Sequence, residues 1–334
     1  MKRKTKNLSL KISLVVALIL IFVGSGYLAM SLRLPLVQVP GVTFSKPYAE
    51  ELKLDPREVL LSTLDNLKVR HFRIPAYWNL VQPELNKWDY KWLDEELDTI
   101  ASRQGSVTLA VGEKLPRWPE CWIPDWAENL STSDRENAAL QYMTQTVNRY
   151  KNHPAVKAWQ VENEPSFPFG KCPEAADGLF DKEVALVRSL DSKPIATTDS
   201  GELSFWRIGK KVDRLGISIY RVVIGPTGIF RYWFVPPQFY LRKSQILGPL
   251  LGIKNLYVSE FQMEPWTKRA TLLETPIDEQ LQTFDLNQMK DNIKFAKNSG
   301  VSTIDYWGVE WWYWMMKTQN RPEFWETAKT IFIK

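Results

Sequence analysis

The sequence predicts an α/β fold, a (β/α)8 TIM barrel preceded by an N-terminal transmembrane helix. Three observations lead there. Eight short apolar runs rich in β-branched and aromatic residues alternate with amphipathic stretches of helical period. About 295 residues carry these units, and a barrel of this kind takes about 250 residues and grows by insertion. Residues 12–30, ISLVVALILIFVGSGYLAM, hold no charge and follow a lysine-rich start.

The N-terminus divides into a basic cytoplasmic flank (1–11), a transmembrane signal anchor (12–32) and a tether (33–38). Lys2, Arg3, Lys4, Lys6 and Lys11 precede the apolar run, and without these five the remaining basic and acidic residues balance at 38 each. The net charge of +5 is therefore a targeting feature and gives no ground for nucleic-acid binding. Nineteen uncharged residues approach the roughly 20 that cross a bilayer as a helix. Positive charge on the leading side puts everything after Arg33 outside the cytoplasm. An anchor is favoured over a cleaved signal peptide, because bulky Tyr27 stands two residues before Ala29 where a small residue is wanted. With cleavage the domain would be secreted.

The domain proper runs from 39 to 334. Its candidate strands are Val42–Phe44, Val69–Ile74, Val107–Val111, Val156–Val161, Ile195–Thr198, Leu215–Ile219, Leu256–Val258 and Thr303–Tyr306. Candidate helices are Asp55–Leu67, Trp92–Ala101, Arg135–Tyr150 (capped from Ser133-Asp134), Lys182–Leu190, Gln238–Leu247, Pro276–Lys297 and Glu323–Ile331, with the fifth connection thin. A doubly wound sheet is the weaker alternative, since no glycine-rich phosphate-binding turn follows any strand.

Composition excludes several chemistries. Two histidines, His71 and His153, cannot build a multi-histidine metal centre, and no metal or cofactor is expected. Two cysteines, Cys121 and Cys172, are too few for a zinc ribbon. In an oxidising compartment they would form one disulfide or remain two separate thiols. Fifteen Trp, 12 Tyr and 15 Phe point to an aromatic core or an aromatic-lined binding surface.

In such a barrel the active site lies at the C-terminal ends of the strands. Those ends present Arg73, Gly112-Glu113, Asn163-Glu164-Pro165, Asp199, Tyr220, Glu260 and Trp307. Glu164 and Glu260 stand at the fourth and seventh strand ends. A carboxyl pair flanking one bond is what glycoside hydrolysis needs, one donating a proton and the other attacking or activating water.

AWQVENEP (Ala158–Pro165) resembles the fourth-strand Asn-Glu-Pro motif of retaining glycoside hydrolases of the cellulase-like clan, family five and its relatives. VRHFRIPAYW (Val69–Trp78), LYVSEF (Leu256–Phe261) and IDYWGVEWW (Ile304–Trp312) resemble that clan's second-, seventh- and eighth-strand segments, in order. The resemblance implies a (β/α)8 retaining β-glycosidase acting on a poly- or oligosaccharide through a covalent intermediate. It implies Glu164 as acid/base and Glu260 as nucleophile, with Asn163 on the substrate's 2-hydroxyl. Arg73 and Tyr220 would position Glu260, and Trp307 would floor the sugar subsite. Retention requires the carboxyls about 5–5.5 Å apart, inversion about 6.5–9.5 Å.

Glu113, Lys114 and Arg117 follow strand three where relatives often carry a histidine. Glu113 and Trp118 are added as substrate-binding candidates, with Asp199 and Glu310 as further possibilities. Trp78, Trp206, Trp233, Trp266, Trp311 and Trp312 also lie at or after strand ends and are candidates for stacking on sugar rings. Glu264 is a decoy for Glu260, and Glu162 reads as a buried partner. A catalytically silent carbohydrate-binding protein and a transglycosylase remain as alternatives.

Overall fold

In a computed structural model, the described residues are 38–225, 227–268 and 271–333, with isolated positions at 16, 17, 24 and 26. Apart from those positions and Gln38, the flank, anchor and tether expected over 1–38 lie outside the described residues. No helix among the described residues is long and apolar enough to cross a membrane.

Eight parallel strands close into a barrel. They are β1 (Val39–Thr43), β2 (His71–Pro75), β3 (Ser106–Val111), β4 (Val156–Val161), β5 (Ile195–Ser200), β6 (Arg214–Ile219), β9 (Leu256–Gln262) and β10 (Thr303–Trp307). Between β6 and β9 a two-stranded antiparallel hairpin, β7 (Val222–Gly225) and β8 (Gly228–Arg231), rises from the mouth. Around the barrel the order is β1-β10-β9-β6-β5-β4-β3-β2. All eight expected strands form, most of them one to four residues longer than the apolar run. The extensions are polar residues such as Asp199, Ser200 and Gln262, which pairing recruits but hydrophobic pattern does not mark.

The helices follow their caps and apolar stripes. Asp55 accepts the Arg57 amide (2.9 Å) and starts Pro56–Asp65. Lys91–Ala101 buries Leu93, Leu97 and Ile100 at helical spacing. Two expectations need correction. Ser131, not Ser133-Asp134, caps Thr132–Tyr150, its hydroxyl accepting the Asp134 amide. The stretch 276–297 breaks into Ile277–Thr283 and Leu286–Asn298, because Asp285 caps a new start on the Gln288 amide. The thin fifth connection is a short 3-10 turn, Arg207–Lys211.

Much of the tryptophan content is core. Trp78, Trp159, Trp206, Trp311, Trp312 and Trp325 are fully buried. Trp311 and Trp312 lie on a helix, Val309–Lys317, and donate to Gln280 Oε1 (2.8 Å) and Met263 O (2.6 Å). They are therefore not sugar platforms, and neither are Trp78 or Trp206. Their indole N–H groups are satisfied inside, as burial of a polar tip demands.

Glu96, on the helix Lys91–Ala101, is buried with Oε1 unpartnered among the described residues. Burial pushes its carboxyl up to about 8, from an ordinary 4.5. Between those values the folded state keeps a proton that the unfolded chain loses, so this residue's contribution to stability falls as pH rises. Glu96→Gln is expected to stabilise the protein at pH 8 by about 2–4 kcal/mol and to change little at pH 4.5. Thermal denaturation of both proteins at both pH values checks this; equal shifts would contradict it.

Candidate active site

The site is built at the mouth by β2, β4, β6 and β9. Glu260 belongs to β9, where pairing with both β6 and β10 slips by one residue around Ser259. A bulge of this kind re-aims a side chain, and here Glu260 lines the cavity. The Ser259 carbonyl at the slip accepts from Thr43 Oγ1 (3.3 Å) and Arg73 Nη1 (3.4 Å).

Beyond the end of β4, Glu162 and Glu164 both have positive φ, +58° and +44°. Non-glycine residues hold such conformations when their surroundings fix them. The fixing bonds run from Glu162 N to Val111 O (3.0 Å), Asn163 N to Lys114 O (2.7 Å) and Glu164 N to Thr198 Oγ1 (2.8 Å). Glu162 in turn accepts the amides of Glu113 (2.6 Å) and Lys114 (2.8 Å), and is the buried partner the sequence suggested. Gly112 is required here: a Cβ would fall 2.2 Å from Glu162 Oε1, at φ +137°.

Arg73 ties the groups together. Its Nη1 donates to Glu260 Oε1 (2.8 Å), Nη2 to Asn163 Oδ1 (2.6 Å) and Nε to Gln160 Oε1 (2.7 Å). Tyr220 OH donates to the other oxygen of Glu260 at 2.9 Å. Glu164 accepts from Ser218 Oγ at 2.5 Å. Burial pushes the Glu164 carboxyl up to about 7, and the negative charge of Glu260 pushes the same way, while the Ser218 hydroxyl and Lys114 oppose. Two carboxyls thus share one cavity of about 820 Å³ with contrasting partners, one held by a guanidinium and a phenol, the other by a serine hydroxyl.

Asn163, Glu164, Tyr220, Glu260, Trp307 and Trp118 all line this cavity, and Arg73 is buried beneath it. Glu113 does not line it. Its carboxylate turns to Arg135 (3.3 Å), on the helix Thr132–Tyr150, so the substrate-contact expectation is corrected. Asp199 and Glu310 are also absent from the lining; they accept from Ser204 Oγ (2.6 Å) and from Ser45 N (2.6 Å) respectively. Trp307 lies on the wall, but the Arg117 guanidinium covers one face of its ring at 4.0 Å, leaving at most the other for a sugar. Arg117 is paired with Glu264 and with Glu310 (2.9 Å), and Glu264 lines the same cavity as Glu260. Trp266 joins Trp118 on the rim, whereas Trp233 stands 81% exposed at the foot of the hairpin. His71 and Asp305 meet (3.4 Å) at the opposite end of β2, and His153 pairs with Asp98 (3.2 Å) on the exterior.

Several site residues were missed. Gln160, Thr198 and Ser218 hold Arg73, Asn163 and Glu164, and each is a polar residue within a strand, a signal available in the sequence. Glu120, which accepts from Asn163 Nδ2 at 3.0 Å, sits in the loop after β3 where strand-end reasoning has no register. A disulfide, Cys121–Cys172, ties that loop to the one after β4, so the two cysteines are bridged and not separate thiols. No group of histidine, cysteine and acidic side chains suited to a metal occurs among the described residues.

Residues 93–223, less than half of the chain, match the model of the glycosyl hydrolases family 2 TIM barrel domain. A β-galactosidase of Geobacillus kaustophilus is 24% identical over 115 residues, covering 28% of this chain and 17% of that enzyme. The fold is shared with a cold-adapted β-galactosidase of Rahnella sp. R3 (TM-score 0.59, 13% identity, 90% of this chain and 57% of that one). It is shared equally with a glycosylated endo-β-1,4-xylanase of Gloeophyllum trabeum (TM-score 0.57, 15% identity, 89% and 96%). By fold over most of its length, and by sequence over 93–223, the chain is similar to the (β/α)8 barrels of glycoside hydrolases.

Proposed function

We propose that the chain is a retaining β-glycosidase of the cellulase-like clan that hydrolyses an O-glycosidic bond in a poly- or oligosaccharide through a covalent glycosyl-enzyme. The observation that carries this reading is the pair Glu164 and Glu260 in one cavity, with different environments. Glu164, its carboxyl raised to about 7, gives its proton to the leaving oxygen. Glu260, with one oxygen on Arg73 and the other on Tyr220, attacks the anomeric carbon as that bond breaks. The ester neutralises Glu260, which removes the negative charge that helps to hold Glu164 protonated. Glu164 then takes a proton from water as the water cleaves the ester. Asn163 would bind the hydroxyl beside the reacting carbon.

The domain is proposed to work outside the cytoplasm, anchored by residues 12–32. The charge pattern of the N-terminus and the Cys121–Cys172 bridge support this placement.

The test is a panel of aryl β-glycosides and β-linked polysaccharides offered to the full chain. Release of phenol or reducing sugar is expected from at least one. Sugar binding with no turnover anywhere on the panel would replace the enzyme reading with the carbohydrate-binding one.

A further inference from the structure

We propose that this cavity selects a sugar bearing a free, protonated amino group next to the reacting carbon, with the Glu120 carboxylate as its point of recognition. The proposal rests on the glycosidase reading of the same cavity and names the substrate class.

Six glutamates line the cavity: Glu51, Glu120, Glu164, Glu202, Glu260 and Glu264. Glu264 is paired with Arg117, Glu202 accepts from Tyr240 OH, and Glu51 is only half-buried. Glu260 has Arg73, and Glu164 has its proton-transfer role. Glu120 has neither. Its side chain is buried, with 7% of the residue exposed, and one oxygen accepts from Asn163 Nδ2. Its other oxygen has no hydrogen-bond or ion-pair partner among the described residues. Lys171 and Lys268 also line the cavity without an ion pair to Glu120, and the charge of Lys114 acts on Glu120 only from a distance. Lys114 Nζ donates to the carbonyls of Glu164 (3.1 Å) and Phe167 (2.7 Å), and Arg117 lies between Glu264 and Glu310. A buried carboxylate without a direct ion-pair partner is costly, so a cationic group on the ligand would relieve it where a hydroxyl would not.

The backbone holds Glu120 at this place. It sits at φ +76°, pinned by Leu115 N to Glu120 O and Glu120 N to Arg117 O, both 2.8 Å. Gly170 packs so closely that a Cβ there would lie 2.5 Å from Glu120 Cβ. Burial pushes the Glu120 carboxyl up to about 8, with the charges of Glu260 and Glu164 adding to it. An ammonium at hydrogen-bond distance opposes all three influences. Asn163, which donates to Glu120, directly precedes Glu164 and is the residue proposed above to bind the hydroxyl beside the reacting carbon, so a cation on Glu120 falls at that position. A 2-amino-2-deoxy glycoside places it there, and N-acetylation would remove the charge.

The experiment compares kcat/KM of the full chain on aryl 2-amino-2-deoxy-β-glucoside and β-galactoside, their N-acetyl forms and the parent glycosides. Calorimetric titration with glucosamine, galactosamine, glucose and galactose runs alongside. A preference of at least about tenfold for the free amine is expected, in turnover and in binding, and a fall of at least about tenfold in that ratio for Glu120→Gln. A ratio near one or below in the unmodified protein overturns the proposal whether or not the variant folds, as does a ratio unchanged in a folded variant. Hydrolysis of parent glycosides with no amine preference would sink this proposal and leave the glycosidase reading standing. Glu120-dependent amine binding without turnover of any glycoside would do the reverse, and absence of both would remove the two together.

Discussion

Glu260→Gln is expected to lower kcat/KM on aryl β-glycosides by about 10⁴-fold or more, a loss of about 5 kcal/mol in transition-state stabilisation. The amide fills the same volume and can still accept from Arg73 Nη1, so the buried guanidinium keeps a partner. What disappears is the nucleophile, and with it both steps of the double displacement. Because the loss is chemical, it should be as large for dinitrophenyl leaving groups as for alkyl ones. Steady-state kinetics across a leaving-group series, with circular dichroism to confirm folding, checks this. A loss confined to poor leaving groups would assign Glu260 the acid role instead.

Glu164→Gln should give the complementary pattern. Poor leaving groups need the proton, so their kcat/KM is expected to fall by about 10²–10⁴-fold. Dinitrophenyl glycosides need little protonation and should still form the glycosyl-enzyme, followed by a slow second step visible as a burst. Azide, which attacks without a general base, should restore turnover. The pH profile carries the same signature. Glu164 must be protonated to start the reaction and its carboxyl lies near 7, so kcat/KM on poor leaving groups should hold below that pH and decline as pH rises through it. In the variant that alkaline limb should vanish. Persistence of the limb at the same position would move the titrating role to another group, with Glu120, raised to about 8, the next candidate.

The barrel and the acid pair were legible because both obey short-range rules. β-branched runs mark parallel strands, and in this fold the strand ends mark the mouth. Asn163, Glu164, Tyr220 and Glu260 could be read in that way. Other features depend on relations the sequence does not express locally. Glu113 occupies the right strand end, yet its carboxylate pairs with Arg135, 22 residues away, and does not line the cavity. Trp311 and Trp312 follow β10 like rim residues, but the helix Val309–Lys317 carries them into the core. Glu120 is the converse case, a residue in the loop after β3, tied by a disulfide to the loop after β4, that lies against Asn163. The slip at Ser259 likewise needs both neighbouring strands to define it.

The central claim is a double displacement between Glu260 and Glu164, and proton NMR of the first-formed sugar tests it most directly. Recorded within minutes of adding enzyme to a β-glycoside that it hydrolyses, before mutarotation, the spectrum should show the β-hemiacetal alone. An α-hemiacetal as first product would mean a single displacement by water and would contradict the covalent role of Glu260.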